Sequence, residues 1–209
     1  MLDRFIIVSP NSDAVEELRW ATRSVPQIEV VFGKFETIPG FDCVATAGNS
    51  FGLMDAGMDL AVVRFFGTQI MERIQKQILE EFLGEQPVGT CLLIATGHVR
   101  HAFVAHAPTM RVPMNIAETD HVYLATWAVL TAICRHNRAS DKPIKTLVCP
   151  AFGTGTGGMQ PLEAGVQMRV AFEHFLKPPQ FINPSMAQAR QERVYYGGRW
   201  GFEHPRKVE

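Results

Sequence analysis

Short apolar runs of strand length alternate along this chain with longer stretches in which apolar residues recur at helical spacing. Phe5 to Val8 is one such run, and residues 28–32 form a second, ended by Gly33. Between them, Ala14, Val15, Leu18 and Ala21 fall on one helical face. Asp13 and Glu16 stand at capping-box spacing, which predicts a helix over about 13–23. Pro39-Gly40 signals a turn before a strand at 43–47. Residues 58–83 are helical in pattern: Ile70, Ile74, Ile78, Leu79 and Phe82 make an apolar stripe, Gly84 ends it, and Gly67 is placed to split it. Residues 90–95 and 102–107 read as adjacent strands around a His/Arg-containing turn. A largely buried helix is expected at 117–138, a buried strand at 146–152, and a helix at 162–176 that follows Pro161.

Strands apolar on both faces, alternating with helices, predict an α/β fold: a three-layer α/β/α sandwich around a mixed, largely parallel sheet. Residues 1–176 are read as that domain. The tail at 177–209 is read as an extension packed on it. The tail carries Pro178-Pro179, an Asn183 cap before Pro184, and an aromatic end with Tyr195, Tyr196, Trp200 and Phe202.

Composition narrows the function classes. The chain has 209 residues, 46% hydrophobic and 20% charged, which suits a soluble globular protein with a real core. A net charge of −1 gives no electrostatic case for nucleic acid or a membrane surface. No apolar run approaches the ~20 residues of a membrane helix. Met1-Leu2-Asp3-Arg4 leads into a strand-like run without a signal-peptide layout. Cys43, Cys91, Cys134 and Cys149 sit singly inside apolar runs, the pattern of reduced thiols in a cytoplasmic protein. His98, His101 and His106 lie close in sequence, but without the paired spacing of a metal site, and no metal is assigned.

The chemistry concentrates in two strand-to-helix loops. The first leaves the strand at Ala47, carries Asn49, passes Gly52 and Gly57, and opens a helix near Met58 with Asp59 in its first turn. The second runs Gly153-Thr154-Gly155-Thr156-Gly157-Gly158 between a buried strand and a helix. Such glycines let backbone amides turn toward an anion, and the helix N-terminus adds positive potential. Gly153, Gly155 and Gly158 also satisfy GxGxxG. A dinucleotide fingerprint, however, needs a following strand ending in an acid. Here the helix runs into Lys177-Pro178-Pro179, and Glu173 lies inside it, so a nicotinamide site is rejected.

Together these segments resemble the macrodomain, the α/β/α module that binds ADP-ribose. Its first motif, Asp-x-Ile-Val-Asn-Ala-Ala-Asn followed by Gly-Val-Asp-Gly-Ala-Ile, is matched without a gap by residues 42–49 and 57–62. Its second, Pro-Ala-Ile-Ser-Thr-Gly-Ile-Tyr-Gly, aligns with residues 150–158, and His106-Ala107-Pro108 resembles its His-Ala-Val-Gly-Pro region. The resemblance covers about residues 28–176. It implies binding of ADP-ribose or an ADP-ribosylated substrate, no cofactor, and hydrolysis of ADP-ribose conjugates. The alternatives are a non-catalytic sensor of ADP-ribose or a related nucleotide, and a structural domain that has lost the pocket.

The resemblance gives Asn49 and Asp59 catalytic roles: Asn49 on the distal ribose hydroxyls, Asp59 activating water. Ala47, Gly57, Met58 and residues 153–158 (Gly153, Thr154, Gly155, Thr156, Gly157, Gly158) would hold the diphosphate and ribose. This chain departs from the pattern in places. Thr46 replaces the first asparagine of the motif. Gly157 replaces an aromatic, leaving ring packing lost or supplied by Phe152 or Phe51. The Gly-Asp-Ile-Thr segment appears as Gly33-Lys34-Phe35-Glu36, where Lys34 can only donate. Adenine contact then falls to Phe35 by stacking or to Glu36.

Overall fold

The computed structural model describes residues 2–196 and 199–200. Six strands form one sheet: β1 (Arg4–Ser9), β2 (Ile28–Phe32), β3 (Cys43–Thr46), β4 (Leu92–Ala95), β5 (Phe103–His106) and β6 (Thr146–Pro150), in the order β2-β1-β6-β3-β5-β4. All neighbours are parallel except β4 and β5. The helices are α1 (Ser12–Thr22), α2 (Gly57–Phe66), α3 (Gln69–Phe82), α4 (His121–Ala139), α5 (Pro161–Leu176) and α6 (Pro184–Gln191). Gly67 does divide the long helical pattern: its amide closes α2 on Val63 O, and Thr68 begins the next turn.

Alternate residues of the sheet enter two separate cores, as parallel strands covered on both sides require. Phe5, Ile7, Ala45, Ala105, Leu147 and Cys149 pack with Leu18 of α1, Val129 and Ile133 of α4, and Met168 and Phe172 of α5. Ile6, Val8, Val44, Val104 and Val148 pack with Val62 and Phe66 of α2 and Ile70, Ile74 and Ile78 of α3. The result is the three-layer sandwich expected from the hydropathy pattern. Among the described residues no helix is long and apolar enough to cross a membrane.

The chain after α5 follows this outer layer. Asn183 caps α6 by accepting from Met186 N at 2.8 Å. Arg190 lies over the Trp127 ring and donates to His174 O, Arg193 pairs with Glu173, and Val194 is buried beside Ala21, Val166 and Val170. Two short strands, β7 (Tyr195–Tyr196) and β8 (Arg199–Trp200), pair antiparallel. Phe202, from the aromatic end singled out in the sequence, lies outside the described residues.

Candidate functional site

Strands β1, β6 and β3 are consecutive in the sheet, parallel, and each is followed by a helix. Their C-terminal ends therefore bring three strand-to-helix loops, and the N-termini of α1, α2 and α5, to one place, where open α/β sheets bind ligands. A cleft of about 460 Å³ lies there. Ala47, Asn49, Gly57, Met58 and Asp59 line one wall, and Gly153, Thr154, Gly155, Thr156 and Gly157 line the other. Two segments more than ninety residues apart in sequence thus share one cavity.

Among the described residues the charged side chains on the cleft wall are Asp55 and Asp59, and no lysine, arginine or histidine lines it. Positive potential comes from the main chain instead. The amides of Met58 and Asp59, in the first turn of α2, and those of Gly155, Thr156 and Gly157 have no backbone partner among the described residues.

Asp59 is buried, 9% exposed, and its Oδ1 has no hydrogen-bond partner among the described residues. Burial raises its pKa from 3.8 to about 7, Thr46 opposes the rise, and Asp55 adds to it. A carboxylate poised near neutrality inside a cleft is suited to proton transfer.

Asn49, 8% exposed, is largely occupied by its own loop. Its Nδ2 donates to Leu53 O at 2.8 Å, and its Oδ1 accepts from Phe51 N at 3.1 Å and Leu53 N at 3.3 Å. The second Nδ2 proton is the group it can offer to the cleft.

Beneath this loop, Gly48 lies against His106: a Cβ on Gly48 would stand 2.3 Å from Nε2. His106 is fully buried, with Nδ1 2.8 Å from Gln86 Oε1. Because Gln86 Nε2 donates to His106 O, its Oε1 is the acceptor and Nδ1 carries the proton. Gln86 N also donates to Ser50 O, so this buried glutamine braces the whole Asn49 loop. Burial lowers the pKa of His106 to about 4, keeping it neutral.

Three expectations are corrected. Phe35 is 1% exposed, in a short helical turn at Phe35–Thr37, and packs edge-on to Phe41 and Phe65 in the core; it does not reach the cleft. Gly158 stands behind the second loop, where its amide donates to Gly155 O and a Cβ would meet Asn115. Phe152 is fully buried and cannot replace the missing aromatic. Gly157 explains why none stands at its own position: a Cβ there would lie 2.6 Å from Gly153 O and 2.8 Å from Ile116 Cγ1.

His98 and His101 are used within the fold. His101 stacks on Phe41 at 3.8 Å, and His98 packs near Phe65 and Phe66. Among the described residues no group of three His, Cys, Asp or Glu side chains could hold a metal.

The third loop of the cleft, Ser9-Pro10-Asn11 with Ala14, is absent from the sequence-derived site. The signal for it was an apolar strand running directly into a helix, the same grammar as in the other two loops. Asn11, rather than Asp13, caps α1, accepting from Asp13 N at 2.9 Å and Ala14 N at 3.1 Å. Asn11→Ala is therefore expected to lower stability by about 1 kcal/mol in urea denaturation, with the slope unchanged. Thr109, Met110 and Pro113 close the far side of the cleft. Ile116 N donates to Gly157 O and Ser50 N to Met110 O, so this segment ties the two glycine-bearing loops together.

A family model described as Macro domain matches residues 45–168. An uncharacterized protein of Aquifex aeolicus is 31% identical over 132 residues, which make up 63% of this chain and 72% of that protein. Among solved structures, a mutant macrodomain of Oceanobacillus iheyensis with ADPR superposes with a TM-score of 0.59 at 18% identity, covering 71% of this chain and 77% of that one. The macrodomain of Mycobacterium tuberculosis DarG gives 0.53 at 19% identity, covering 66% and 84%.

Proposed function

The chain belongs to the Macro domain family, and from that premise we propose that its cleft binds ADP-ribose and hydrolyses ADP-ribose conjugates. The observation that carries the catalytic half of this reading is Asp59. It is a buried carboxylate in the first turn of α2, raised by burial to a pKa of about 7, whose Oδ1 has no hydrogen-bond partner among the described residues.

In this reading the diphosphate lies between the amides of Met58 and Asp59 and those of Gly155, Thr156 and Gly157. The free Nδ2 proton of Asn49 meets a hydroxyl of the distal ribose. Ionised Asp59 takes a proton from a water as the water oxygen bonds to the anomeric carbon. The bond from that carbon to the conjugated group breaks, and its electron pair leaves with that group, which takes up a proton. The products are ADP-ribose and the freed acceptor. Positioning and proton transfer are the contributions of the protein.

Calorimetry with ADP-ribose, and release of ADP-ribose from mono-ADP-ribosylated protein, test the two halves separately. Saturable binding with turnover is the expected result. Binding without turnover would make the protein a sensor, and no heat at millimolar ligand would end the proposal.

A further inference from the structure

We propose that Gln86 is the positioning residue for Asn49: from outside the cleft it sets the height and aim of the loop that presents that side chain. The consequence for binding rests on the reading of the cleft as an ADP-ribose site; the ligand-free half of the test does not. Gln86 lies between α3 and β4, is fully buried, and does not line the cleft. A primary amide in such a place is accounted for by what it bonds. Its main-chain N donates to Ser50 O at 2.8 Å, next to Asn49. Its side-chain Nε2 donates to His106 O at 3.2 Å, and its Oε1 accepts from His106 Nδ1 at 2.8 Å. Turning the amide over would set Oε1 against His106 O, so two bonds to one residue fix both the amide and the ring.

What the ring supports is the loop. The Nε2 edge of His106 lies so close under Gly48 that a Cβ there would stand 2.3 Å from Nε2 and 2.9 Å from Cδ2. Gly48 precedes Asn49 and lines the cleft with it. On the other side, Thr109 N donates to Gly48 O at 3.0 Å and Ser50 N to Met110 O at 3.1 Å. Residues 48–50 are thus held from two sides. Gln86 acts on them directly through Ser50 and indirectly through the ring. A methionine in its place keeps length and volume, but leaves Nδ1 and O of His106 without their partners in a dry interior, a cost that a turn of the ring relieves. Gly48 then moves with the ring, and Asn49 with Gly48.

Hydrogen exchange on the unliganded full chain tests the placement. The amides of Phe51 and Leu53 donate to Asn49 Oδ1 at 3.1 and 3.3 Å. In Gln86→Met their exchange is expected to quicken by about tenfold relative to any change at Ile7 in β1, which reports global opening. Calorimetry tests the consequence. Gln86→Met is expected to weaken ADP-ribose by about 10–100-fold and to leave ADP, which has no distal ribose, at wild-type affinity. In an Asn49→Ala background the same substitution is expected to cost nothing further. Gln86→Glu, which still accepts from Nδ1 but cannot donate to His106 O, gives the same reading if the methionine variant does not fold. Proportionate changes at Phe51, Leu53 and Ile7, equal weakening of the two ligands, or additive losses in the double variant overturn the proposal. If wild type binds no ADP-ribose, the reading of the cleft falls, while exchange still decides the role of Gln86.

Discussion

Asp59→Asn is expected to lower the turnover of ADP-ribosyl conjugates by about 10²–10⁴-fold, the range spanned by general-base catalysis, while ADP-ribose still binds. The substitution keeps the size of the side chain and the amides of Met58 and Asp59, so the diphosphate contacts survive. In wild type, kcat is expected to fall on the acid side with a midpoint near the Asp59 pKa of about 7, and that limb is expected to vanish from the residual activity of the variant. Stability moves the opposite way. Burial raises Asp59, so between about pH 4 and 7 the native chain holds a proton that the unfolded chain has released. The contribution of Asp59 to stability is present below that window and is lost as pH rises through it. At pH 8 the native protein carries the full cost of a buried charge, so Asp59→Asn is expected to raise Tm there and to change it little at pH 4. Thermal melts of both proteins at the two pH values measure this. A variant that is both inactive and less stable at pH 8 would mark Asp59 as a structural residue.

Gly157→Ala is expected to weaken ADP-ribose binding by about 10²-fold, since a displacement near 1 Å costs that much at a preorganised site, and to destabilise the fold by about 1–3 kcal/mol, as overpacking does. The new methyl would stand 2.6 Å from Gly153 O. That carbonyl cannot retreat freely, because it accepts from Met159 N at 3.0 Å. Ile116 Cγ1 blocks the other side at 2.8 Å, and Ile116 N holds Gly157 O. The loop must open, and its free amides lose their common focus. Gly155 is the control: a Cβ there meets nothing within 4 Å, so Gly155→Ala is expected to keep wild-type stability within about 0.5 kcal/mol. Equal destabilisation by the two substitutions would refute the steric account. Urea denaturation and calorimetry read both effects.

Much of this architecture was legible from the chain because the signals are local. Apolar runs at strand length, the stripe Ile70, Ile74, Ile78, and glycines at loop positions each constrain a few neighbouring residues. The two walls of the cleft were legible for the same reason, since each is one continuous loop. Their meeting was not: it depends on β1, β6 and β3 lying side by side, a fact of sheet order that no short window contains. The β1–α1 loop escaped notice on that account, having no glycine to mark it. Gln86 left no trace either, because a buried amide is recognised only by what it bonds, here His106 and Ser50. Phe35 failed for a different reason. Position in a motif placed it near the ligand, but hydrophobic burial turned its ring inward to Phe41 and Phe65. Asn49 lies between these cases: the residue stands on the wall, yet most of its hydrogen-bonding capacity is spent on the loop that presents it.

Among the described residues the wall of that cleft carries two aspartates and no basic side chain. Peptide dipoles fade within a few ångströms, whereas net charges steer ions from a Debye length away. The amides of such a wall act at contact range. Free phosphate and sulfate are expected to gain no long-range attraction from these wall side chains. Under the proposed function, occupancy is decided after collision, by whether sugar and diphosphate can touch Asn49, α2 and the second loop together.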